Sequence, residues 1–292
     1  MHLLRGLHDA GAEIVAIVVA GRPTTKLLTL PFSVELIVVD DPAKIGEGIR
    51  QAAAPLVIHL NAHVSTERSM QALQLSVQWN LLSTISLLTA CAEIGTKRVV
   101  LMGSCEEYGK EIHPFDPTLA ADPSSPYGAS KAAITAYARM FTTSFHLPTV
   151  VLRPSVVYGP EQSPRMLISQ VMLALALGRT IDVTEGKQTR DFVYVSDVVD
   201  AILLSLVTPG IEGEVLNAGS NEIVTVRECL ERIEAISGRT GLIEYGKRPY
   251  VDREIFHYEL INEPTYKALS WRPAVSLDEG LRRTWESMRR KI

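Results

Sequence analysis

The chain is poor in the residues that would assign it to several common classes. Its three cysteines, Cys91, Cys105 and Cys229, are too few and too scattered for a disulfide framework. Its seven histidines include a single His-x-x-x-His spacing, His59 and His63, and the cysteines form no Cys-x-x-Cys pair, so no metal is expected. No uninterrupted apolar run approaches the roughly 18 residues of a membrane span. The first residues lack the basic, apolar and small-residue succession of a secretory leader. These absences lead to the expectation of a cytoplasmic protein with no membrane partner. Basic excess is missing too: 29 Lys and Arg against 33 Asp and Glu give a net charge of -4. That charge offers no field for nucleic acid. What remains is 292 residues, 46% hydrophobic and 21% charged. Such a chain can bury one large core or two modest ones.

The first half alternates helix-like and strand-like segments. Residues 2–10 carry Leu3, Leu4 and Leu7 at helical spacing, with Gly11 as a stop. Residues 13–19, 34–39 and 56–60 read as buried strands. Residues 76–94 form a long helix followed by a strand at 98–102, and residues 127–145 another followed by a strand at 149–153. This rhythm predicts a parallel sheet with helices on both faces. Beyond Pro160 the pattern loosens into apolar helices at 166–178, 198–207 and 224–237, the last opening at the cap-like Thr225, with a closing helix at 277–288.

Chemistry gathers in a few blocks. Tyr127-Gly-Ala-Ser-Lys131 sets a phenol and an ammonium on one helix face. There the lysine charge can lower the phenol's pKa toward that of a working base. Upstream, the apolar run Val99-Val-Leu-Met-Gly-Ser104-Cys-Glu106-Glu-Tyr108-Gly109 ends where a parallel strand delivers a serine to a site. Downstream come Leu152-Arg153-Pro154-Ser-Val-Val-Tyr158-Gly159-Pro160 and Arg190-Asp191-Phe192-Val193-Tyr194-Val195-Ser196-Asp197.

In this order the blocks resemble the extended short-chain dehydrogenase/reductase family, in its nucleotide-sugar epimerase/dehydratase branch. The resemblance runs from about residue 3 to about residue 285. It implies an α/β fold, a Rossmann-like doubly wound parallel sheet with a smaller, partly interleaved C-terminal substrate lobe. The dinucleotide domain would span residues 1–157 plus about 190–208, and the lobe 158–189 and 209–292. Tyr127 would be the general acid/base, Lys131 would hold the nicotinamide ribose, and Ser104 would hydrogen-bond the reacting sugar oxygen. Glu106 matches a glutamate that handles the sugar C5 proton in the dehydratases, although Cys105 stands where an oxygen acid is usual. Cys105 itself reads as a small packed residue, since no histidine flanks it. The loop also looks like that of some 4-keto-sugar nucleotide reductases. Arg190, and Arg248 or Arg253, match arginines that contact the substrate nucleotide and its diphosphate. Asn80 matches an asparagine common in the family, in a structural or a cofactor role, and His59-Leu60-Asn61-Ala62-His63 resembles the family's turn beside the cofactor, with Asn61 in place of the usual alanine.

The family also implies a nucleotide-sugar substrate, a homodimer built on the two long helices, and NAD or NADP. Arg22 follows the second expected strand in place of a ribose-binding acid, which tilts the choice toward NADP. The leading expectation is 4-keto reduction or 4-epimerisation of a nucleotide-linked hexose. The alternatives are a dehydratase using Glu106 and a degenerate member that binds without turnover. One element is absent: no Gly-x-x-Gly-x-x-Gly turn occurs in the chain, and no strand precedes the first helix. Such a strand belongs at the sheet centre. Three arrangements follow as expectations. About 15–25 further residues precede this sequence, by analogy with a strand, turn and half helix; or the sheet closes around the gap; or another chain supplies the strand.

Overall fold

The computed structural model describes residues 1–65, 67–109, 113–251 and 254–292. The N-terminal part runs α1 (His2–Asp9), β1 (Val15–Val19), α2 (Thr25–Leu28), β2 (Glu35–Val39), α3 (Ile45–Ala52), β3 (Leu56–His59), α4 (Met70–Ser76), α5 (Ser83–Ile94), β4 (Arg98–Met102) and α6 (Pro126–Phe145). The chain continues through β5 (Thr149–Pro154), β6 (Val156–Tyr158), α7 (Leu167–Ala176), β7 (Ile181–Asp182), β8 (Thr189–Tyr194) and α8 (Val195–Val207). It ends with β9 (Val215–Ala218), β10 (Ile223–Thr225), α9 (Val226–Ser237), β11 (Ile243–Glu244), α10 (Glu263–Leu269) and α11 (Leu277–Arg289).

Two parallel sheets carry the first half of the chain, and short parallel pairs, β6 with β8 and β7 with β11, lie beyond them. β3, β4, β5 and β9 form a four-stranded sheet in that order, with Val99 opposite Thr149 and Val151 opposite Val215. β1 and β2 pair parallel in a separate two-stranded sheet. Among the described residues β1 and β3 each keep one edge without a strand neighbour. The sheet has therefore not closed around the missing element. α1 lies over one face, packed on α8, and α3 packs on β1, β2 and α5 over the other.

β4 shows why the sheet forms where it does. Val99, Val100 and Leu101 are fully buried, and successive side chains point to opposite faces. Val99 and Leu101 join Leu87, Leu88, Ile134 and Phe141 of α5 and α6, whereas Val100 joins Leu3 of α1 and Ile202 of α8. A strand covered on both faces needs the continuous apolar run the sequence shows. Each such side chain contributes about 1.5–3 kcal/mol by leaving water.

Two readings change. The helix expected from residue 76 begins at Met70, because the Ser69 side chain accepts a hydrogen bond from the Ala72 amide and caps it earlier. The helical run Met70–Ile94 is, by length and composition, apolar enough to cross a membrane, with 44% of its apolar window buried inside the fold. Gln71, Gln74 and Gln78 interrupt it, so the sequence shows no continuous apolar run. Finally, the lobe boundary drawn at residue 209 does not follow the pairing. β9 completes the four-stranded sheet beside β5, because Val215 and Leu216 are buried in that sheet's two faces. The lobe's own core gathers α7, α9 and α11 with β8, around Met172, Leu230, Leu281 and Phe192.

Candidate active site

Ser104 stands just past the C-terminal end of β4, in extended backbone (φ -161°), and caps a short 3-10 turn, Cys105–Glu107. Its Oγ accepts from the Glu106 amide at 3.2 Å, and its own amide donates to Glu107 Oε1 at 2.8 Å. α6 starts beside this loop. Ser125 is its N-cap, accepting from the Gly128 amide, and Pro126 occupies the first turn, where a missing N–H costs nothing. A Cβ on Gly128 would lie 2.6 Å from the Glu106 carbonyl, so glycine is what lets the loop and helix meet.

Tyr127 and Lys131 then face the loop from the first turns of α6. Lys131 is 3% exposed, and its Nζ donates to the Met102 carbonyl at 2.7 Å. It lies 5.8 Å from the centre of the Tyr127 ring. Burial pulls the lysine pKa down to about 8, opposed by the charge of Glu107. The phenol of Tyr127 is pushed up by burial first and by Glu106 second, with a hydrogen bond to Ser104 working the other way. The phenol therefore lies above its ordinary value, opposite to the expected acidification by Lys131: burial and the Glu106 carboxylate outweigh the hydrogen bond with Ser104. Ser104, Tyr127 and Lys131 do converge, as their spacing implied.

Glu106 is part-buried at the mouth of this group. Its Oε2 accepts from Ser125 Oγ at 2.8 Å, and burial raises its pKa, opposed by that hydrogen bond and by Arg68 and Arg190. It does not simply face solvent. Cys105 is buried and its thiol is pushed well up by burial, the character of a packed residue. Cys91 and Cys229 are buried and free as well.

The expected cofactor residues divide. Asn80 is fully buried, with its amide occupied: Nδ2 donates to the His63 carbonyl and Ser130 Oγ, and Oδ1 accepts from the His63 amide. It pins the loop after β3 to α6. Asn61 donates to the Trp79 carbonyl at 3.1 Å and shores up the same loop. Both anchor points sit in a π-helical stretch, Val77–Leu82, whose offset register leaves carbonyls for such partners. Arg22 is exposed, with its guanidinium 4.0 Å above the Trp79 ring.

Of the substrate arginines, Arg190 donates to the carbonyls of Thr189 and Ile255, pairs with Glu254, and lies 4.6 Å over Tyr258. Arg248 lines an open cavity of about 410 Å³ with Gln170, Arg179, Thr180 and Asp182. Arg253 lies outside the described residues.

Sequence reasoning missed four neighbours. His59, 6% exposed at the end of β3, has no partner on Nε2 among the described residues, and burial with the Lys131 charge lowers its pKa to about 3. Ser125 was legible as a Ser-Pro helix start. Glu107 and its partner Arg153 were not, because the two are 46 residues apart.

Comparison with known proteins agrees with this geometry. The profile of the NAD dependent epimerase/dehydratase family matches residues 1–219. The chain is 30% identical over 247 residues to dTDP-D-glucose 4,6-dehydratase of Mus musculus, covering 81% of this chain and 68% of that one. It is 30% identical over 230 residues to UDP-glucuronate 4-epimerase of Thermodesulfobacterium geofontis, covering 78% and 70%. The solved UDP-glucose 4-epimerase of Thermus thermophilus in complex with NAD superposes with a TM-score of 0.89 at 27% identity, over 100% of this chain and 96% of that one.

Proposed function

The chain belongs to the NAD dependent epimerase/dehydratase family, and we propose that it is an NAD-dependent enzyme acting at C4 of a nucleotide-linked hexose, by 4-epimerisation or 4-keto reduction. The observation that carries this reading is the convergence of Ser104, Tyr127 and Lys131 at the C-terminal end of β4. In open α/β sheets ligands sit outside that end of the strands.

The residues fit the nicotinamide-ribose side of NAD. A buried ammonium and a phenol border a loop, residues 61–63, that Asn80 holds in place. A glycine turn for the pyrophosphate is not among the 292 residues. NAD is favoured over NADP: the similar solved enzyme holds NAD, and Arg22 has Trp79 as its partner. Bound NAD would supply the hydride acceptor and donor. The protein's part is proton and charge control. Tyr127 Oη exchanges the proton of the sugar hydroxyl, Ser104 Oγ hydrogen-bonds the same oxygen, and the Lys131 ammonium favours the deprotonated phenol as it forms. Arg248, with Arg179, is proposed for the substrate's phosphates, which suit the forked guanidinium donor. Arg190 orders the 254–258 segment.

Glu106 favours a second reading, sugar-nucleotide dehydration. Its raised pKa and its place beside Tyr127 suit a carboxyl that handles a carbon-bound proton. We further propose two lobes joined through β9, a cytoplasmic location and a C2 homodimer. The dimer reading rests on Met70, Leu73 and Val77, exposed at one-face helical spacing, with Leu82 exposed a turn further on.

The test is incubation of the protein and NAD(H) with UDP-glucose, UDP-glucuronate and dTDP-glucose, with products identified by NMR. Inverted C4 supports epimerisation, reduction of added 4-keto sugar supports the reductase, and a 4-keto-6-deoxy product supports dehydration. No change in any of them, with NAD bound, would sink the enzymatic reading.

A further inference from the structure

Glu107 is a carboxylate with no exposed surface, one residue beyond the acid that faces the site. Every bond it makes leads to a different part of the catalytic frame. Oε1 accepts the Ser104 amide at 2.8 Å. Oε2 accepts Thr135 Oγ1 at 2.7 Å and Arg153 Nε at 2.9 Å, and the Arg153 guanidinium completes an ion pair at 2.7 Å. Thr135 is one turn beyond Lys131 on the same face of α6, and Arg153 lies on β5 beside β4. Gly103 leaves room for the group: a Cβ there would lie 2.4 Å from Oε1. Burying a carboxylate is costly unless charge and hydrogen bonds compensate, and here both do.

Building on the function proposed above, we propose that Glu107 is a positioning residue that fixes Ser104 and Lys131 relative to one another by tying the loop, α6 and β5 to one carboxylate. It also acts through charge. Glu107 raises the pKa of Lys131 against the larger effect of burial, so it keeps the ammonium protonated to higher pH. The other groups facing this pair are Glu106 and Cys105 on the loop, Tyr127 on α6, His59 on β3 and Arg153 on β5. His59 is neutral in the working range. Arg153, left unpaired, would push Lys131 the same way as loss of Glu107.

The experiment compares wild type with Glu107→Gln, and with Thr135→Val, which removes one hydroxyl donor and keeps the charge. For Glu107→Gln the expected result is a kcat loss of about tenfold or more from misplacement, with nucleotide-sugar affinity by calorimetry within about threefold. The alkaline limb should move to lower pH by about half a unit or more. Thr135→Val should lose kcat with the limb unmoved. The titration of Lys131, followed by NMR of ¹³Cε-labelled lysine and assigned with Lys131→Arg, needs no substrate. A downward shift in Glu107→Gln supports the proposal even if no sugar is turned over, in which case only the functional reading fails. An unmoved Lys131 titration in folded Glu107→Gln overturns it. If that variant does not fold, wild-type kcat in Thr135→Val overturns it, and a loss there supports it.

Discussion

Tyr127→Phe removes one oxygen and leaves the ring that fills its place beside Lys131. It should keep the native circular dichroism and cut turnover by about 10²–10⁴-fold, the usual contribution of a general acid/base. Near-wild-type rates on an established substrate would exclude Tyr127 from that role. His59 makes a different prediction. Its folded pKa, about 3, is below the unfolded value near 6.5, so the unfolded chain binds more protons between those limits. Stability from neutral His59 is therefore present above about pH 6.5 and lost as pH falls toward 3. Between pH 6.5 and 5 the loss is about 2 kcal/mol. Urea unfolding at several pH values should give a shallower slope in His59→Gln than in wild type over that window; equal slopes would mean His59 is protonated in the fold. At this scale the sequence showed Ser104, Tyr127 and Lys131 through their spacing. It could not show Glu107 with Arg153, or the occupied amide of Asn80, because those partners meet only in three dimensions.

At the scale of elements, α6 begins on a side chain with two duties. Ser125 Oγ accepts from the Gly128 amide and donates to Glu106 Oε2. Ser125→Ala should lower stability by about 1 kcal/mol, the worth of an N-cap. It should also raise the Glu106 pKa further, since that hydrogen bond favours the charged carboxylate. Denaturant unfolding and ¹³C NMR of the carboxyl would read the two effects; a Glu106 titration identical to wild type would show that the bond is not formed in solution. The long buried strands and α6 were legible because a two-faced core demands unbroken apolar runs. β6 and β10, each three residues long, were not, since so short a stretch carries no period. β8 hid inside Arg190-Asp191-Phe192, where polar side chains that bond across the lobe mask a strand.

For the whole molecule, the exposed stripe of Met70, Leu73 and Val77 predicts a dimer that a charge would disrupt. Light scattering at micromolar concentration should give twice the mass of the 32.1 kDa chain, and Leu73→Glu with Val77→Glu should give the single mass. A monomeric wild type would remove the proposed contact. The divided sheet reaches further. Among the described residues β1 and β2 are tied to the rest by α3 packing, with no strand ladder to β3. Cooperativity should be divided with it. Under native-state hydrogen exchange the amides of residues 15–39 should open as a separate low-energy unit, while those of β4 and β5 exchange only at the global unfolding free energy. Protease nicking should accordingly begin in the exposed 20–30 segment, between β1 and β2, before the catalytic frame is touched.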